Sequence, residues 1–187
     1  MRVSRPVGVA AVLVALVAAT AIAQVETGRK TPDVPYVTTP EAVVLEMLRL
    51  AKVTKDDVVY DLGSGDGRIV IAAAKHFGAR GLGLELDRGL VHEAEENARR
   101  AGVTDRTRFI AADIFDADLS GATVVTLYLF PDVNARLRPK LLRELEPGTR
   151  VVSHAYGIGN WTPEQQRMVK VGAKDHQIYF WVVPPRP

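Results

Sequence analysis

The residues best suited to chemistry lie in one short run, Asp61-Leu62-Gly63-Ser64-Gly65-Asp66-Gly67, which closes an apolar, β-branched stretch. Glycines at alternate positions let a backbone turn sharply and approach a ligand with no side chain in the way. A helical pattern follows from Arg68, and a helix start favours a carboxylate or another anion through its unpaired N–H groups. Asp61, two residues ahead of the first glycine, suits an ammonium group and would repel a pyrophosphate. A dinucleotide turn calls for Gly-x-Gly-x-x-Gly, yet the sixth position counted from Gly63 is Arg68. The turn therefore fits a ligand that carries both an ammonium and a carboxylate.

Two more acids follow at matching places. Glu85, in Gly81-Leu82-Gly83-Leu84-Glu85-Leu86-Asp87, ends the next apolar run. An acid at a second strand tip can accept hydrogen bonds from ribose hydroxyls. Asp113, in Ala111-Ala112-Asp113-Ile114-Phe115, ends the third. Its carboxylate suits an adenine amino group, with Ile114 packed on the ring. Singly, each acid also reads as a helix cap or a solvated loop residue. In order, one per consecutive strand end, they describe a site for an amino acid joined to an adenosine, which is S-adenosylmethionine (SAM).

The elements that must position these residues alternate regularly. Pro40 opens a helix with Val43, Val44, Met47, Leu48 and Ala51 at helical spacing,. Strands are predicted at Val58–Leu62, Gly81–Leu86, Thr107–Ala111, Thr123–Leu129 and Thr149–His154. Helices are predicted at Arg68–Phe77, Gly89–Ala101 and Asp132–Glu146. Two closing strands, Met168–Val171 and Gln177–Val183, have no helix between them and predict an antiparallel hairpin at one sheet edge. The expected fold is an α/β three-layer Rossmann-like sandwich with a mostly parallel seven-strand sheet. Ligands of such sheets bind beyond the carboxyl ends of the strands.

Composition excludes several classes. The 187 residues give room for one domain, and the net charge of +2 with no Lys/Arg block gives no ground for nucleic acid as a partner,. There is no cysteine, hence no disulfide or thiolate metal site, and His76, His92, His154 and His176 have no metal-ligand spacing,. No metal and a monomer are expected. Arg2 and Arg5 precede an apolar run from Val7 to Ala23 that ends in Ala21-Ile22-Ala23. This predicts a signal peptide or membrane anchor over 1–23, with membrane contact through residues 7–23. A polar, Pro-punctuated arm would follow over 24–39, then the domain over 40–187. The leader predicts an exported or membrane-anchored domain on the periplasmic side, or an anchor facing the cytoplasm. Export would separate the domain from SAM, which is made in the cytoplasm.

Val59-Tyr60-Asp61-Leu62-Gly63-Ser64-Gly65-Asp66-Gly67-Arg68-Ile69-Val70 resembles the first motif of the class I (seven-strand) SAM-dependent methyltransferases. More narrowly it resembles the small mitochondrial protein-lysine methyltransferases that act on an ATP synthase subunit and on the adenine nucleotide translocase. Pro35-Tyr36-Val37 with Pro40, Gly83-Leu84-Glu85-Leu86, Lys140-Leu141-Leu142-Arg143-Glu144-Leu145, Gly148-Thr149-Arg150-Val151-Val152-Ser153 and Trp161-Thr162-Pro163 extend the likeness over most of the chain after the leader. The resemblance implies SAM contacts from Asp61, Gly63, Gly65, Glu85 and Asp113, with Ser64, Gly67 and Ile114 beside them. Asp87 stands where that family tends to have Asn, a tryptophan-rich stretch after it is missing, and Leu129-Phe130-Pro131-Asp132 is a variant of the segment that shapes the acceptor pocket.

For the acceptor, Tyr128, Phe130 and Trp161 are the candidate pocket wall, and His154 is the histidine placed to assist a proton. Structural roles for all four are the alternative: aromatics at strand ends often belong to the core. No Asn-Pro-Pro-Tyr or Asp-Pro-Pro-Tyr follows the fourth strand, which disfavours a base or glutamine amide acceptor. The expected activity is methyl transfer from SAM to an acceptor, a protein lysine amine or a small molecule. A non-catalytic SAM-binding protein and an NAD-dependent oxidoreductase are the rival readings.

Overall fold

The computed structural model describes residues 37–186. Among these residues, four helices and seven strands alternate as the apolar pattern predicts. They are α1 (Glu41–Leu50), β1 (Val58–Leu62), α2 (Arg68–Phe77), β2 (Arg80–Glu85), α3 (Arg88–Ala101), β3 (Thr107–Ala111), β4 (Val124–Leu127), α4 (Pro131–Glu144), β5 (Arg150–His154), β6 (Gln165–Val171) and β7 (Lys174–Val182). Local chemistry explains the boundaries. Gly78 and Gly102 end α2 and α3 in the left-handed conformation, where a Cβ is penalised. Asp87 caps α3, its Oδ1 accepting from the Gly89 N–H at 2.6 Å,.

The strands form one sheet in the order β3-β2-β1-β4-β5-β7-β6. All pairings from β3 to β5 are parallel, whereas β7 runs antiparallel to both β5 and β6. This is the expected mostly parallel seven-strand sheet with an antiparallel edge. The closing strands are longer than their apolar cores suggested. Gln165, Gln166 and Arg167 are exposed and follow no apolar alternation, but their backbone pairs with Phe180, Tyr179 and Ile178. The fourth strand is shorter, because Tyr128 and Leu129 leave the ladder and turn toward the carboxyl edge.

Alternation of side chains assigns the faces. Val59, Val124, Val152, Ile178 and Phe180 point to the layer of α1 and α2, where Val43, Met47, Leu48 and Ile69 are buried. Leu62, Leu84, Val125, Leu127, Val151 and Trp181 point to α4, whose Leu137 and Leu141 are fully covered. Between β3 and β4 no helix forms. Ile114, Phe115, Ala117 and Leu119 cover the α4 face instead, and the same segment lies at the carboxyl edge. On the opposite edge, Asp57 ties the sheet together: it accepts from Thr123 Oγ1 (2.7 Å) and the Thr54 N–H (2.7 Å) and pairs with Arg150.

The leader expectation needs correction. Among the described residues no helix is long and apolar enough to cross a membrane, so the exported or membrane-anchored placement is not upheld. Residues 7–23, on which that placement and the membrane contact rested, lie outside the described residues. An apolar stretch of that length sits near the lower limit for a span, and its hydropathy alone does not fix where a domain resides.

Gly83 shows how tightly the middle of the sheet packs. A Cβ there would sit 2.5 Å from the Phe109 ring and 2.6 Å from Ser64 Oγ. Gly83→Ala is therefore expected to destabilise the fold by about 1–3 kcal/mol, measured by denaturant unfolding. Wild-type stability in that variant would contradict the packing.

Candidate functional site

Parallel pairing in register brings the carboxyl ends of five strands to one edge. Asp61 on β1 lies opposite Gly83 on β2 and Thr126 on β4, so it occupies the point where neighbouring connections diverge to opposite sides. Its side chain is 3 % exposed, and Oδ1 accepts from Thr126 Oγ1 at 2.7 Å. Burial, then the charges of Glu85 and Asp66, push its pKa up to about 7 against the Thr126 hydrogen bond. A buried carboxylate with so little compensation is costly unless a cation joins it.

The glycine turn is pinned from three directions. Gly63 and Gly67 hold positive φ of +80° and +79°, and a Cβ at Gly67 would lie 2.6 Å from Phe109. Glu85 Oε2 accepts from the Gly65 N–H (2.9 Å), while Oε1 accepts from Leu86 and Asp87 N–H groups. Asn97 on α3 donates to the Asp66 carbonyl at 2.9 Å. Arg68 binds the Asp66 carboxylate and donates to the Thr39 carbonyl at 3.0 Å. Ser64 is 5 % exposed, and its Oγ has no hydrogen-bond partner. An orphaned buried hydroxyl beside a glycine turn calls for an explanation, and a ligand group is one that would supply its partner.

Asp113 and Ile114 sit in the segment after β3. Asp113 Oδ1 accepts from the Phe115 N–H (2.9 Å) and so shapes its own turn, while Ile114 packs on the α4 side. Arg136 lies 4.4 Å over the Phe115 ring,.

The acceptor candidates separate into two groups. The Tyr128 ring packs against His154 with centroids 4.0 Å apart and planes tilted by 37°, and Phe130 meets Tyr156 edge-on at 6.3 Å. Burial, then Tyr156, raises the Tyr128 pKa, so its hydroxyl keeps its proton. Trp161 packs elsewhere: its ring lies 5.9 Å from Trp181, and its carbonyl accepts the Trp181 indole N–H at 2.9 Å. Its described contacts are on the α4 side of the sheet, where Phe130 also packs, and not with Tyr128 or His154.

Sequence reading missed several partners. Thr126 follows from strand register, which needs the pairing partner of β1 to be known. Tyr156 is a lone aromatic in a loop. Thr39 and His176, bonded to His154 at 3.1 and 3.0 Å, come from opposite ends of the chain and carry no local signal.

The fold agrees with that of known proteins. The ANTKMT methyltransferase domain family matches residues 61–165. A protein-lysine N-methyltransferase of Saccharolobus islandicus is 48 % identical over 81 % of this chain and 95 % of its own. The chain belongs to this methyltransferase family. An adenine nucleotide translocase lysine N-methyltransferase of Mus musculus is 37 % identical over 70 % of this chain, which spans 57 % of that relative's length. Among solved structures, an RNA methyltransferase from Salinibacter ruber in complex with S-adenosyl-L-homocysteine has 52 % identity and a TM-score of 0.75. The match covers 81 % of this chain and 96 % of that one. The protein is a SAM-dependent methyltransferase.

Asp61 links the stability of the ligand-free fold to pH. Its raised pKa means the ligand-free fold holds a proton that the unfolded chain, near 3.8, has lost. Stability from this group is full below about pH 4 and is lost as pH rises toward 7,. Asp61→Asn should raise Tm at pH 8, at about 2–4 °C per kcal/mol recovered. If Asp61 is the partner of the SAM ammonium, wild-type SAM affinity should fall about tenfold per pH unit below 7, as a proton must leave before the ammonium is paired. Calorimetry showing equal affinity at pH 5.5 and 7 would contradict the linkage.

Proposed function

We propose that this enzyme methylates the side-chain amine of a lysine in an acceptor protein, with residues 40–187 as its catalytic domain. The observation that carries this reading is the pairing of aromatic rings with acidic loops at one edge. Tyr128, Phe130 and Tyr156 follow β4 and β5, and Asp87, Asp116 and Asp132 lie in or just after the turns around them. Acids draw a cationic side chain, and rings favour an ammonium over their faces and a stripped alkyl stem.

SAM supplies the methyl group as an electrophile on its sulfonium. The chain's own residues bind and orient. Asp61 is the partner for the amino-acid ammonium, and the N–H groups of the turn at the start of α2, with Ser64 Oγ, receive the carboxylate. Gly63, Gly65 and Gly67 let the backbone approach. Glu85 already accepts three N–H bonds, and a carboxylate has about four acceptor positions. In this reading it first fixes the turn and then accepts one ribose hydroxyl. Asp113 receives the adenine amino group, and Ile114 covers the ring. Tyr128 and Phe130 hold the lysine stem and keep water out. A lysine amine must be neutral to attack, and a desolvated pocket lowers its pKa from about 10.4.

An RNA acceptor is the second reading, favoured by the Salinibacter relative's description. The carboxyl edge argues against it. Arg68 there is engaged with Asp66 and the Thr39 carbonyl, and the surrounding loops are acid-rich. A phosphate backbone needs an uninterrupted basic track.

Two measurements test the reading. Radiolabelled SAM offered to host protein and RNA fractions should label protease-sensitive material, and Asp61→Asn should abolish the label. Label removed by ribonuclease would sink the lysine assignment. Glu85→Ala should weaken SAM binding by about 1–3 kcal/mol, and unchanged affinity by calorimetry would remove Glu85 from the site.

A further inference from the structure

One group of polar side chains near the rings is not used in cofactor binding. His154 ends β5 and is 1 % exposed. Its Nδ1 lies 3.1 Å from Thr39 Oγ1, and its Nε2 lies 3.0 Å from Nδ1 of His176 on β7. Thr39 is buried, while His176 is partly exposed. The three groups therefore form a hydrogen-bonded file running from beside Tyr128 and the start of α1 outward to the solvent side of β7. An apolar residue would fill the His154 position without the cost of a desolvated imidazole.

We propose that Thr39, His154 and His176 are a proton exit for the acceptor amine, an inference that rests on the lysine reading above. Two directions of donation satisfy the file, and they differ by one proton moved from end to end. In the first, the Thr39 hydroxyl donates to His154 Nδ1, His154 Nε2–H donates to His176 Nδ1, and His176 Nε2–H faces outward. In the second, every donation is reversed. An incoming ammonium gives its proton to Thr39 Oγ1, directly or through one water. The hydroxyl proton passes to His154 Nδ1, the Nε2 proton to His176 Nδ1, and the His176 Nε2 proton to water. The neutral amine then attacks the methyl carbon: a C–N bond forms, the C–S bond breaks, and the sulfur keeps the electron pair. One proton leaves for each ammonium consumed. The file resets through water when the product has left the pocket.

The surroundings suit this task. Among the described residues, the titratable groups facing His154 are Tyr128 from β4 and His176 from β7, and Arg68 reaches the far side of Thr39 at its carbonyl. Burial, then His176, lowers the His154 pKa to about 4. The ring is neutral at working pH, with one nitrogen bare and able to accept.

The test compares wild type with His176→Leu, His176→Gln and Thr39→Val, using poly-L-lysine and radiolabelled SAM between pH 7 and 10. His176→Gln can still hydrogen-bond His154 but cannot pass a proton. Both His176 variants and Thr39→Val should lose about tenfold or more in kcat at pH 7. The loss should shrink toward pH 10, where the amine arrives neutral; SAM affinity should stay near wild type, and His176→Gln, which keeps the bond to His154, should also keep Tm. Equal loss at every pH, or full activity in His176→Gln, would overturn the relay and leave a structural role. If wild type labels neither poly-L-lysine nor any protein, the lysine reading fails and the relay falls with it. If wild type labels and the variants keep its pH profile, the relay alone fails.

Discussion

The site depends on one buried carboxylate. Asp61 lies between β2 and β4, nearly free of solvent, with a threonine hydroxyl as its hydrogen-bond partner. In a low-dielectric interior that arrangement is poor for the protein alone and good for a protein that binds a cation there. The remaining contacts of the cradle serve to keep the turn open next to it. Glu85 and Asn97 take up the turn's backbone groups from β2 and α3, and Arg68 closes over Asp66. A turn held by its neighbours needs no reorganisation when ligand arrives, and that preorganisation favours both affinity and orientation.

The distribution of helices decides what surrounds that carboxylate. Asp61, Thr126 and Glu85 share the alternation of Val59 and Val124, so they lie on the α1 and α2 side of the sheet at its carboxyl edge. The β3–β4 connection spends its residues on a turn-rich cover instead of a helix, which places Asp113 and Ile114 at the same edge. The β5–β6 connection is short as well, and the closing hairpin brings β7 beside β5. That antiparallel return is what sets His176 within reach of His154. A further parallel crossover would have placed a helix there.

The pattern of the sequence made much of the cradle legible. Alternate glycines, an acid before them and one acid at each following strand tip describe a binding site because each feature is local to a few residues. The acceptor side was less legible. Tyr128, Phe130 and His154 stood out as chemistry-bearing types at strand ends, and the first two do meet His154 and Tyr156. Trp161 had the same credentials but covers Trp181 on the α4 side of the sheet, where Phe130 also packs. Residue type and position after a strand do not say which face a loop side chain joins, because loop backbones lack the fixed period that strands impose.

By itself, then, the sequence determined the alternation of strands and helices, the glycine turn, its three acids and the methyltransferase kinship, all of which are written in short-range periodicity and spacing. Only the tertiary structure decided that Thr126 shares the Asp61 carboxylate, that Glu85 holds the turn before any ribose, and that Thr39, His154 and His176 stand in file. Thr39 and His154 are separated by 115 positions, and His154 and His176 by 22. Such contacts depend on strand order and register, which are set when the whole sheet assembles and every buried face must be covered at once.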